Sequence, residues 1–504
     1  MSAVERHRVR TVLALGLMAA YYGAITCLPA VLFAVTFIDW LKGRGGLSLV
    51  FGSFFVGVMI LWALFPRLER FCPPGPRIDR SSQPELLAAI EEVAAASGQP
   101  VPREIYLTME LNAAVAERGG LFGLGSRRAM ALGVPLLQVL SVSEFKGIVA
   151  HEFGHFHRGD TRLQPWLARI NRAIGRSLEV FDDSMLGTPF VVYGRLFRRI
   201  TNGMTRSREH AADAHAASIV GKGAVVTGLR SMHAAAAAYT VYWTREVVPV
   251  LDAGFRPPIT AGFELFRHAP TTRAEIARQL ESDAAHSQAT PDDSYPTLAE
   301  RTQAIEALPD ASAPIATDDR RAIGLLRGIS EVELQILRFT GGEGPAGQLK
   351  PIEWDPVPEL AYLPMWRRCC EEHADKLRGL RTADLPKRAR PLGDEIARAL
   401  PATAAHDQRG PAIGRAAVAV ALCDGGHRLE AGVGQPIVFR NRDATATPVT
   451  VDPFESMCAL SEGRLGGSEW DSICQAFRID TVALESAAAA RQIEEVAHAD
   501  GAPR

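Results

Sequence analysis

Two long apolar runs near the N-terminus constrain the fold of this chain most strongly. Residues 11–38 and 47–65 contain no charged side chain, and only the short loop 39–46 separates them. A helix of about 20 apolar residues is long enough to cross the roughly 30 Å hydrocarbon core of a bilayer. The pattern predicts a transmembrane hairpin with spans at about 11–38 and 47–65. A cleaved signal peptide is the alternative for the first run, but that run is too long and no small-residue cleavage site follows it.

Basic residues beside the two runs predict the orientation of the hairpin. Segment 1–10 carries three arginines and segment 67–80 carries four, whereas the loop between the runs carries only Lys42 and Arg44. Lysine and arginine favour the cytoplasmic side of a membrane, so both ends of the hairpin are expected in the cytoplasm. We therefore expect an integral membrane protein with two transmembrane helices, in the cell membrane if the source is bacterial. The later segment 187–200 is only partly apolar and carries three arginines, and it is a candidate for an amphipathic piece at the membrane interface, which the sequence alone does not decide.

A short motif after the hairpin points to a metal. The chain reads His151-Glu-Phe-Gly-His155, the H-E-x-x-H pattern. Residues four apart on a helix return to nearly the same face, so both imidazoles can bind one Zn²⁺. Glu152 follows the first ligand and can take the proton that a zinc-activated water releases. The alternative is a solvated helix that carries two surface histidines.

The residues around the motif predict a packed helix. Ser141 and Glu144 have the spacing of a capping box at its start, and Gly159 is a plausible end. One face carries an apolar stripe of four residues: Phe145, Ile148, Val149 and Phe153. A helix with such a stripe packs into a core, which argues against the solvated alternative. A packed helix also holds its ligands in the fixed geometry that a metal site needs.

Catalytic zinc needs three protein ligands, and a later segment offers the third. Glu209 and Asp213 are four residues apart, hence on one face of a predicted second helix. Glu209 would complete a His-His-Glu ligand set, and Asp213 could orient a ligand imidazole by accepting its other N–H. The alternative is a solvated acidic pair beside Arg206 and Arg208.

Four motifs in order resemble the HtpX-type family of membrane zinc metallopeptidases, which includes the CAAX prenyl endopeptidases. The resemblance covers roughly residues 80–310 and rests on these segments: Leu111-Asn-Ala-Ala-Val115, His151-Glu-Phe-Gly-His155, Ser207-Arg-Glu-His-Ala-Ala-Asp213 and Ser294-Tyr-Pro-Thr-Leu-Ala-Glu-Arg301. It implies zinc bound by His151, His155 and Glu209. It also implies that Glu152 is the general base and that Asp213 supports a ligand.

The chain departs from the family pattern at one position. Where the family commonly has His before the Pro of the fourth motif, this chain has Tyr295. A phenol can also donate a hydrogen bond to an oxyanion, so Tyr295 is a candidate catalytic residue. The alternative is that Tyr295 and Arg301 only pack the C-terminal end of the catalytic domain.

A predicted pair of strands precedes the zinc helix. Residues 103–115 and 129–134 have the composition of strands, and Gly119-Gly120 marks a turn between them. Zinc peptidases commonly hold a substrate as an added strand along a sheet edge. Asn112, Ala113 and Ala114 are therefore the candidate substrate-binding residues. An ordinary interior strand is the alternative.

Net charge and cysteine content bear on nucleic-acid binding and on the redox state of the compartment. The net charge of −2 gives no basis for nucleic-acid binding. The seven cysteines show no metal-binding or disulfide pattern, which fits a reducing compartment.

The segments together predict an α+β fold that is mainly α. A zincin-like metallopeptidase domain at 82–310 is expected behind a cytoplasmic N-terminus at 1–10, a transmembrane hairpin at 11–66 and a linker at 67–81. Residues 311–364 are expected to connect this domain to a C-terminal domain at 365–504, for which the sequence gives no role.

The predicted function is that of a membrane-anchored zinc endopeptidase with one Zn²⁺ per chain. Its expected partners are the lipid bilayer and membrane-associated polypeptide substrates, without nucleic acid. The alternative is a catalytically silent membrane scaffold or sensor in which residues 365–504 are the working part. The intact base Glu152 argues against this alternative.

Overall fold

The fold is taken from a computed structural model of the chain. It describes these residues: 3–64, 71–118, 127–157, 187–285, 295–311, 314–341, 349–385, 409–440, 459–460 and 463–479. The described residues form a mainly helical α+β protein, as predicted. They group into two compact units, one of Met1–Ala236 with Arg278–Ile336 and one of Ala237–Ala277 with Leu337–Arg504. The domain boundaries expected from the sequence stay predictions.

The first unit begins with two helices that pack against each other. They are α1 (Ala3–Leu41) and α2 (Leu47–Leu64). Thr36 Oγ1 and Ser53 Oγ lie 2.6 Å apart across the pair. Among the residues that the structure describes, no helix combines the length and the hydropathy that a membrane crossing needs.

A small mixed sheet follows the helix pair. Its elements, with the helix between them, are β1 (Arg77–Ile78), α3 (Pro84–Ala96), β2 (Glu104–Thr108), β3 (Ala113–Arg118) and β4 (Arg127–Gly133). The strand order is β1-β2-β4-β3, with β2 parallel to β4 and β3 antiparallel to β4. Strand β3 therefore lies at one edge of this sheet.

The single strand expected at 103–115 was wrong, because the chain turns between β2 and β3. At this turn Asn112 Oδ1 accepts the N–H of Ala113 at 2.9 Å, and the Asn112 carbonyl accepts the N–H of Gly133 at 2.9 Å. Gly133 lies so close that a Cβ built on it would overlap the carbonyl oxygen of Glu110. A side chain at Gly133 would push the turn away from the sheet.

Among the described residues, the first unit continues with four helices. They are α4 (Val134–Val139), α5 (Val142–His157), α6 (Gly187–Val220) and α7 (Lys222–Tyr242), the last of which continues into the second unit. The predicted capping box of α5 is present: the Ser141 N–H donates to Glu144 Oε2 at 2.8 Å, and the Glu144 N–H donates to Ser141 Oγ at 3.2 Å. The predicted end at Gly159 lies outside the described residues.

The core of the first unit lies between the sheet and α5. All four residues of the predicted apolar stripe of α5 are buried: Phe145, Ile148, Val149 and Phe153. Helix α3 contributes buried Leu86, Ile90 and Val93, which recur at helical spacing. The stripe thus fixes the rotation of α5, and the opposite side of the helix is left to carry polar side chains.

The second unit contains mostly short elements. In chain order they are a π-helical segment at Trp243–Val247, α8 (Val248–Asp252), β5 (Phe255–Arg256), α9 (Ile259–His268) and α10 (Pro270–Ala285), of which the last residues belong to the first unit. Helix α11 (Leu298–Glu306) and a 3₁₀ turn at Ala322–Leu325 follow in the first unit, and α12 (Ile329–Gly341) leads from it back into the second unit.

The C-terminal part of the chain completes the second unit. Its elements are β6 (Lys350–Pro351), a π-helical segment at Pro358–Tyr362, α13 (Leu363–Glu372), α14 (Ala374–Leu377), a 3₁₀ turn at Thr382–Asp384, α15 (Arg409–Asp424), β7 (Arg428–Glu430), β8 (Val438–Arg440) and α16 (Gly467–Ala476). The two π-helical segments meet through Glu246, which accepts from the Tyr362 hydroxyl at 3.1 Å and from the Gly434 N–H at 3.2 Å. Burial raises the pKa of this carboxyl.

Candidate metal centre

The three predicted ligands converge between α5 and α6. His151 and His155 lie one turn apart on α5, with ring centroids 4.8 Å apart and planes nearly perpendicular at 85°. Glu209 of α6 places Oε2 3.5 Å from His151 Nε2 and Oε1 3.8 Å from His155 Nε2. The ligand atoms of the three residues all lie within 4.8 Å of one another, so they could hold one metal ion.

A glycine inside the motif allows the two helices to approach. A Cβ built on Gly154 would lie 2.9 Å from the Ala212 Cα, 3.1 Å from the Ala212 carbonyl oxygen and 3.2 Å from the His215 Cβ. Such contacts are closer than carbon atoms normally allow, so a larger residue would push α5 away from α6. Because the ligands come from both helices, this close contact sets the distance between His151 and Glu209.

One ligand imidazole is oriented from behind. Asp213 lies one turn after Glu209 and is almost fully buried. Its Oδ1 lies 2.9 Å from His151 Nδ1. If Nδ1 carries the proton, it donates to this carboxylate and leaves the lone pair of Nε2 on the side of Glu209. The geometry therefore suits the supporting role that was predicted for Asp213.

Arg301 extends this arrangement from α11. It donates from Nη2 to Asp213 Oδ1 at 2.6 Å and from Nε to Asp213 Oδ2 at 2.9 Å. The same Nη2 lies 3.4 Å from His151 Nδ1 and 3.9 Å from Glu209 Oε2. A bidentate pair of this kind fixes the plane of the carboxylate as well as its position. Arg301 thereby holds Asp213 against the ligand imidazole.

The charges of the cluster follow from burial and these hydrogen bonds. Burial alone would lower the pKa of His151, but hydrogen bonds to Asp213 and Glu209 raise it to about 9. Burial, together with the charge of His151, lowers the pKa of His155 to about 4. Burial would raise the pKa of Asp213, but hydrogen bonds from Arg301 and His151 lower it to about 2. His155 is therefore neutral near pH 7, as a metal ligand must be, while a metal ion at His151 has to displace a proton.

The predicted base lies beside the ligands and touches the sheet. Glu152 Oε2 accepts the backbone N–H of Val115 in β3 at 3.2 Å. Burial raises the pKa of this carboxyl, and the neighbouring His151 charge opposes the shift. A carboxylate with a raised pKa is a stronger base. The hydrogen bond also ties the edge strand to the helix that carries the metal ligands.

The fit of a metal ion is supported by one further observation. Within the described residues, the buried Nδ1 of His155 has no hydrogen-bond partner. Two imidazoles and one carboxylate, with an acidic residue behind one imidazole, are a donor set typical of catalytic zinc sites. The residues present therefore suit a divalent metal of this class.

The remaining predicted site residues divide into two groups. Asn112, Ala113 and Ala114 lie at and just before the start of β3, on the edge strand that Glu152 touches. Their substrate-binding role stays a prediction. Tyr295 is 64% exposed, in contrast to buried His151 and Glu209, and its catalytic role also stays a prediction.

Sequence reasoning missed the place of Arg301. The alternative in which Arg301 only packs the end of the domain does not describe its contacts with Asp213 and His151. The signal that could have identified it is its position at the end of the fourth family motif, after Tyr295. Spacing could not reveal the contact, because Asp213 and Arg301 lie 88 positions apart.

Comparison with known proteins points to one family. Residues 80–308 match the model of Peptidase family M48. The chain is 29% identical to the Protease HtpX homolog of Acidiphilium cryptum, over 29% of this chain and 54% of that protein. It is 26% identical to Protease HtpX of Idiomarina loihiensis, over 40% and 76%, and 24% identical to the Protease HtpX homolog of Thermoplasma volcanium, over 38% and 65%.

The alignments with these relatives cover only part of this chain and only part of each relative. The chain spans about half the length of the Acidiphilium cryptum relative. No solved structure matches the chain significantly. The matched residues 80–308 include both ligand helices, the edge strand and Arg301. Residues 80–308 of the chain are thus similar to Peptidase family M48, and the relatives that match are HtpX-type proteases.

Proposed function

We propose that the chain is a membrane-anchored zinc endopeptidase that hydrolyses peptide bonds of membrane or membrane-proximal proteins. The observation that carries this proposal is the cluster of His151, His155 and Glu209, whose ligand atoms lie within 4.8 Å of one another. The match of residues 80–308 to the model of Peptidase family M48 supports it independently. Zinc is the metal proposed, because the donor set of two imidazoles and one carboxylate suits it.

The residues around the cluster have distinct proposed tasks. A bound zinc ion would supply Lewis-acid polarisation of the scissile carbonyl and would lower the pKa of a water molecule to about 7. Glu152 accepts a proton from the attacking water and later delivers it to the leaving amine. Since Oε2 of Glu152 is engaged with the Val115 N–H, we assign the proton transfer to Oε1. Asp213 and Arg301 keep the His151 ring in its orientation.

The substrate is proposed to bind as a strand beside β3. The edge position of β3 in the four-stranded sheet supports this proposal. So does the hydrogen bond between Val115 and Glu152, because it keeps the edge next to the base. Main-chain hydrogen bonds to an edge strand supply affinity without demanding a particular sequence. Asn112, Ala113 and Ala114 would contact substrate residues that flank the scissile bond.

The membrane anchor is proposed to be the pair of helices α1 and α2. The charge-free runs 11–38 and 47–65 support this, as do the many large apolar side chains that both helices expose. A helix that is apolar all around belongs either in a protein core or in a bilayer. The excess of arginine at both ends of the pair supports a metal centre on the cytoplasmic side. Substrates at or in the membrane would then be the ones within reach.

Cleavage by the purified full-length protein tests the proposal. We expect a fluorogenic peptide or an unfolded membrane protein to be cut, the activity to disappear with a chelator, and zinc to restore it. Glu152→Gln should lower kcat by a factor of about 100 or more, since general-base catalysis typically contributes that much. The matched control is Glu306→Gln, which makes the same change in an exposed ion pair with Arg230 and should cleave normally. Equal cleavage by the Glu152→Gln protein would refute the mechanism, and bound zinc without cleavage would favour a scaffold.

A further inference from the structure

Helix α1 extends well beyond its partner α2. The helices have 39 and 18 residues, respectively. They run antiparallel, because Thr36 contacts Ser53 while the earlier Pro29 packs against the later Gly57. The last residue of α2, Leu64, lies seven positions after Gly57, so it is level with a position seven before Pro29, at about residue 22. Residues 3–21 of α1 therefore lie past the end of α2, over a length of about 28 Å at 1.5 Å per residue. We call these residues the overhang.

The overhang packs against the N-terminal half of α6. The hydroxyl of Tyr193 donates to the carbonyl of Leu17 at 2.9 Å. The Tyr193 ring stacks on Tyr21 with centroids 5.7 Å apart, and Phe197 stacks on Tyr193 at 6.0 Å. Phe197 is fully buried. These contacts orient α6 about its axis, with the side of Tyr193 and Phe197 turned inward.

The outward face of this half of α6 is both apolar and basic. Val192 is 60% exposed and Leu196 is 48% exposed, four positions apart on one face. Arg195 and Arg199 are exposed on the same face, and Arg198 is exposed beside it. No acidic residue occurs between the start of α6 and Glu209. Among the described residues, the three arginines form no ion pair.

We propose that this face binds an anionic membrane surface, with Arg195, Arg198 and Arg199 on phospholipid headgroups and with Val192 and Leu196 at the boundary of the acyl chains. Guanidinium groups pair with phosphate, and their stems lie along apolar surface while the charge stays in the headgroup layer. The face continues the proposed anchor, since the overhang begins where α2 ends. The inference therefore rests on the membrane anchoring proposed above.

The basic face and the metal centre lie on the same helix. Helix α6 is continuous from the basic face to Glu209, ten positions after Arg199. At 1.5 Å per residue, the ligand lies about 15 Å along the helix from the last of the three arginines. Contact of the face with headgroups would hold α6, and with it the third ligand, close to the membrane surface.

Quenching of fluorescence by brominated lipid in nanodiscs tests both the membrane anchor and the headgroup contact of α6. The full-length protein carries a genetically encoded fluorescent amino acid at Leu196, in neutral phosphatidylcholine discs or in discs with one quarter phosphatidylglycerol, each with a brominated-lipid version. A probe at Phe55, 65% exposed on α2, reports insertion of the anchor, and a probe at Ser218, exposed near the far end of α6, is the control. We expect quenching at Phe55 in both lipids, at Leu196 mainly in the anionic lipid, and none at Ser218.

Replacing Arg195, Arg198 and Arg199 by Gln tests the headgroup contact. Each basic residue near an anionic surface shifts binding by about fivefold, so the triple variant should weaken the surface-bound state roughly a hundredfold and remove the quenching at Leu196. About 1 M salt should do the same in the parent protein. An unchanged far-ultraviolet circular dichroism spectrum and quenching at Phe55 confirm that the variant is folded and inserted.

The outcomes distinguish failure of the membrane anchor from failure of the headgroup contact. No quenching at Phe55 would refute the membrane anchor and with it this inference. Quenching at Phe55 without quenching at Leu196 would leave the anchor intact and overturn the inference, in favour of an acidic protein partner for the arginines. Equal quenching at Leu196 in neutral and anionic lipid, or in the triple variant, would overturn the role of the arginines.

Discussion

Replacing Gly154 by Ala should lower zinc affinity tenfold or more, while the free energy of unfolding falls by at most about 2 kcal/mol. The new Cβ would lie 2.9 Å from the Ala212 Cα, a backbone atom that has no rotamer through which to retreat. Carbon atoms in contact normally lie about 3.5–4.0 Å apart, so α5 and α6 must separate locally by about 0.6–1.1 Å. The helices carry His151 and Glu209, and the ligand distances change with the separation.

The two effects have different sizes. Overpacking typically costs about 1–3 kcal/mol, but Ala is favoured over Gly inside a helix by about 1 kcal/mol, so the free energy of unfolding should fall by only about 0–2 kcal/mol. Metal–ligand distances tolerate about 0.2 Å, which is several times less than the expected separation. We expect zinc affinity to fall tenfold or more, which corresponds to about 1.4 kcal/mol or more.

Competition with a chromophoric chelator measures zinc affinity, and denaturant unfolding of the metal-free protein measures stability. Gly147→Ala on the same helix is a graded control, since its Cβ would meet the movable Val220 Cγ2 at 3.3 Å. Gly223→Ala on α7 is the open control, with nothing within 4 Å of the new Cβ. We expect a small effect at Gly147 and none on zinc at Gly223. Zinc affinity of Gly154→Ala equal to that of the parent would refute the reasoning.

Three further predictions concern the residues around the ligands. Asp213→Asn should lower zinc affinity about 10–100-fold in the same chelator competition, because it weakens the support of the His151 ring, whereas unchanged affinity would contradict that role. In the metal-free protein, hydrogen bonds raise the pKa of His151 to about 9, above its ordinary value. Protonated His151 therefore stabilises the fold fully below about pH 6.5, and this stabilisation is lost as the pH rises through about 9. The free energy of unfolding should therefore fall between pH 6 and pH 10. In Asp213→Asn this fall should be smaller, because the variant lacks the carboxylate that raises the pKa of His151. Tyr295→Phe should change kcat less than about twofold, because Tyr295 is 64% exposed, and a loss above tenfold would instead assign its phenol to the transition state.

The ligand set was accessible from sequence because it depends on local spacing. His151 and His155 share a face of one helix by helical periodicity alone, and the apolar stripe of the same helix fixed which face is buried. Glu209 required only that a second helix pack beside the first. The capping box that begins α5 was predicted by the same kind of local pattern.

Features that depend on distant contacts were not accessible in this way. Gly154 occupies a variable position of the motif, and its need to be glycine comes from Ala212 on another helix. Arg301 reaches Asp213 across 88 positions. The turn between β2 and β3 escaped notice because the flanking residues have strand composition on both sides, and the close approach of Gly133 to Glu110 is a tertiary contact.

Zinc K-edge X-ray absorption on the purified full-length protein tests the central claim most directly. The account predicts one zinc ion per chain with two imidazole nitrogens at about 2.0–2.1 Å and carboxylate oxygen at a similar distance. In Glu209→Gln the zinc content or the oxygen contribution should fall, while Glu306→Gln, the exposed control, should match the parent. Zinc bound through sulfur, or a chain that binds no zinc at all, would contradict the metal centre of His151, His155 and Glu209.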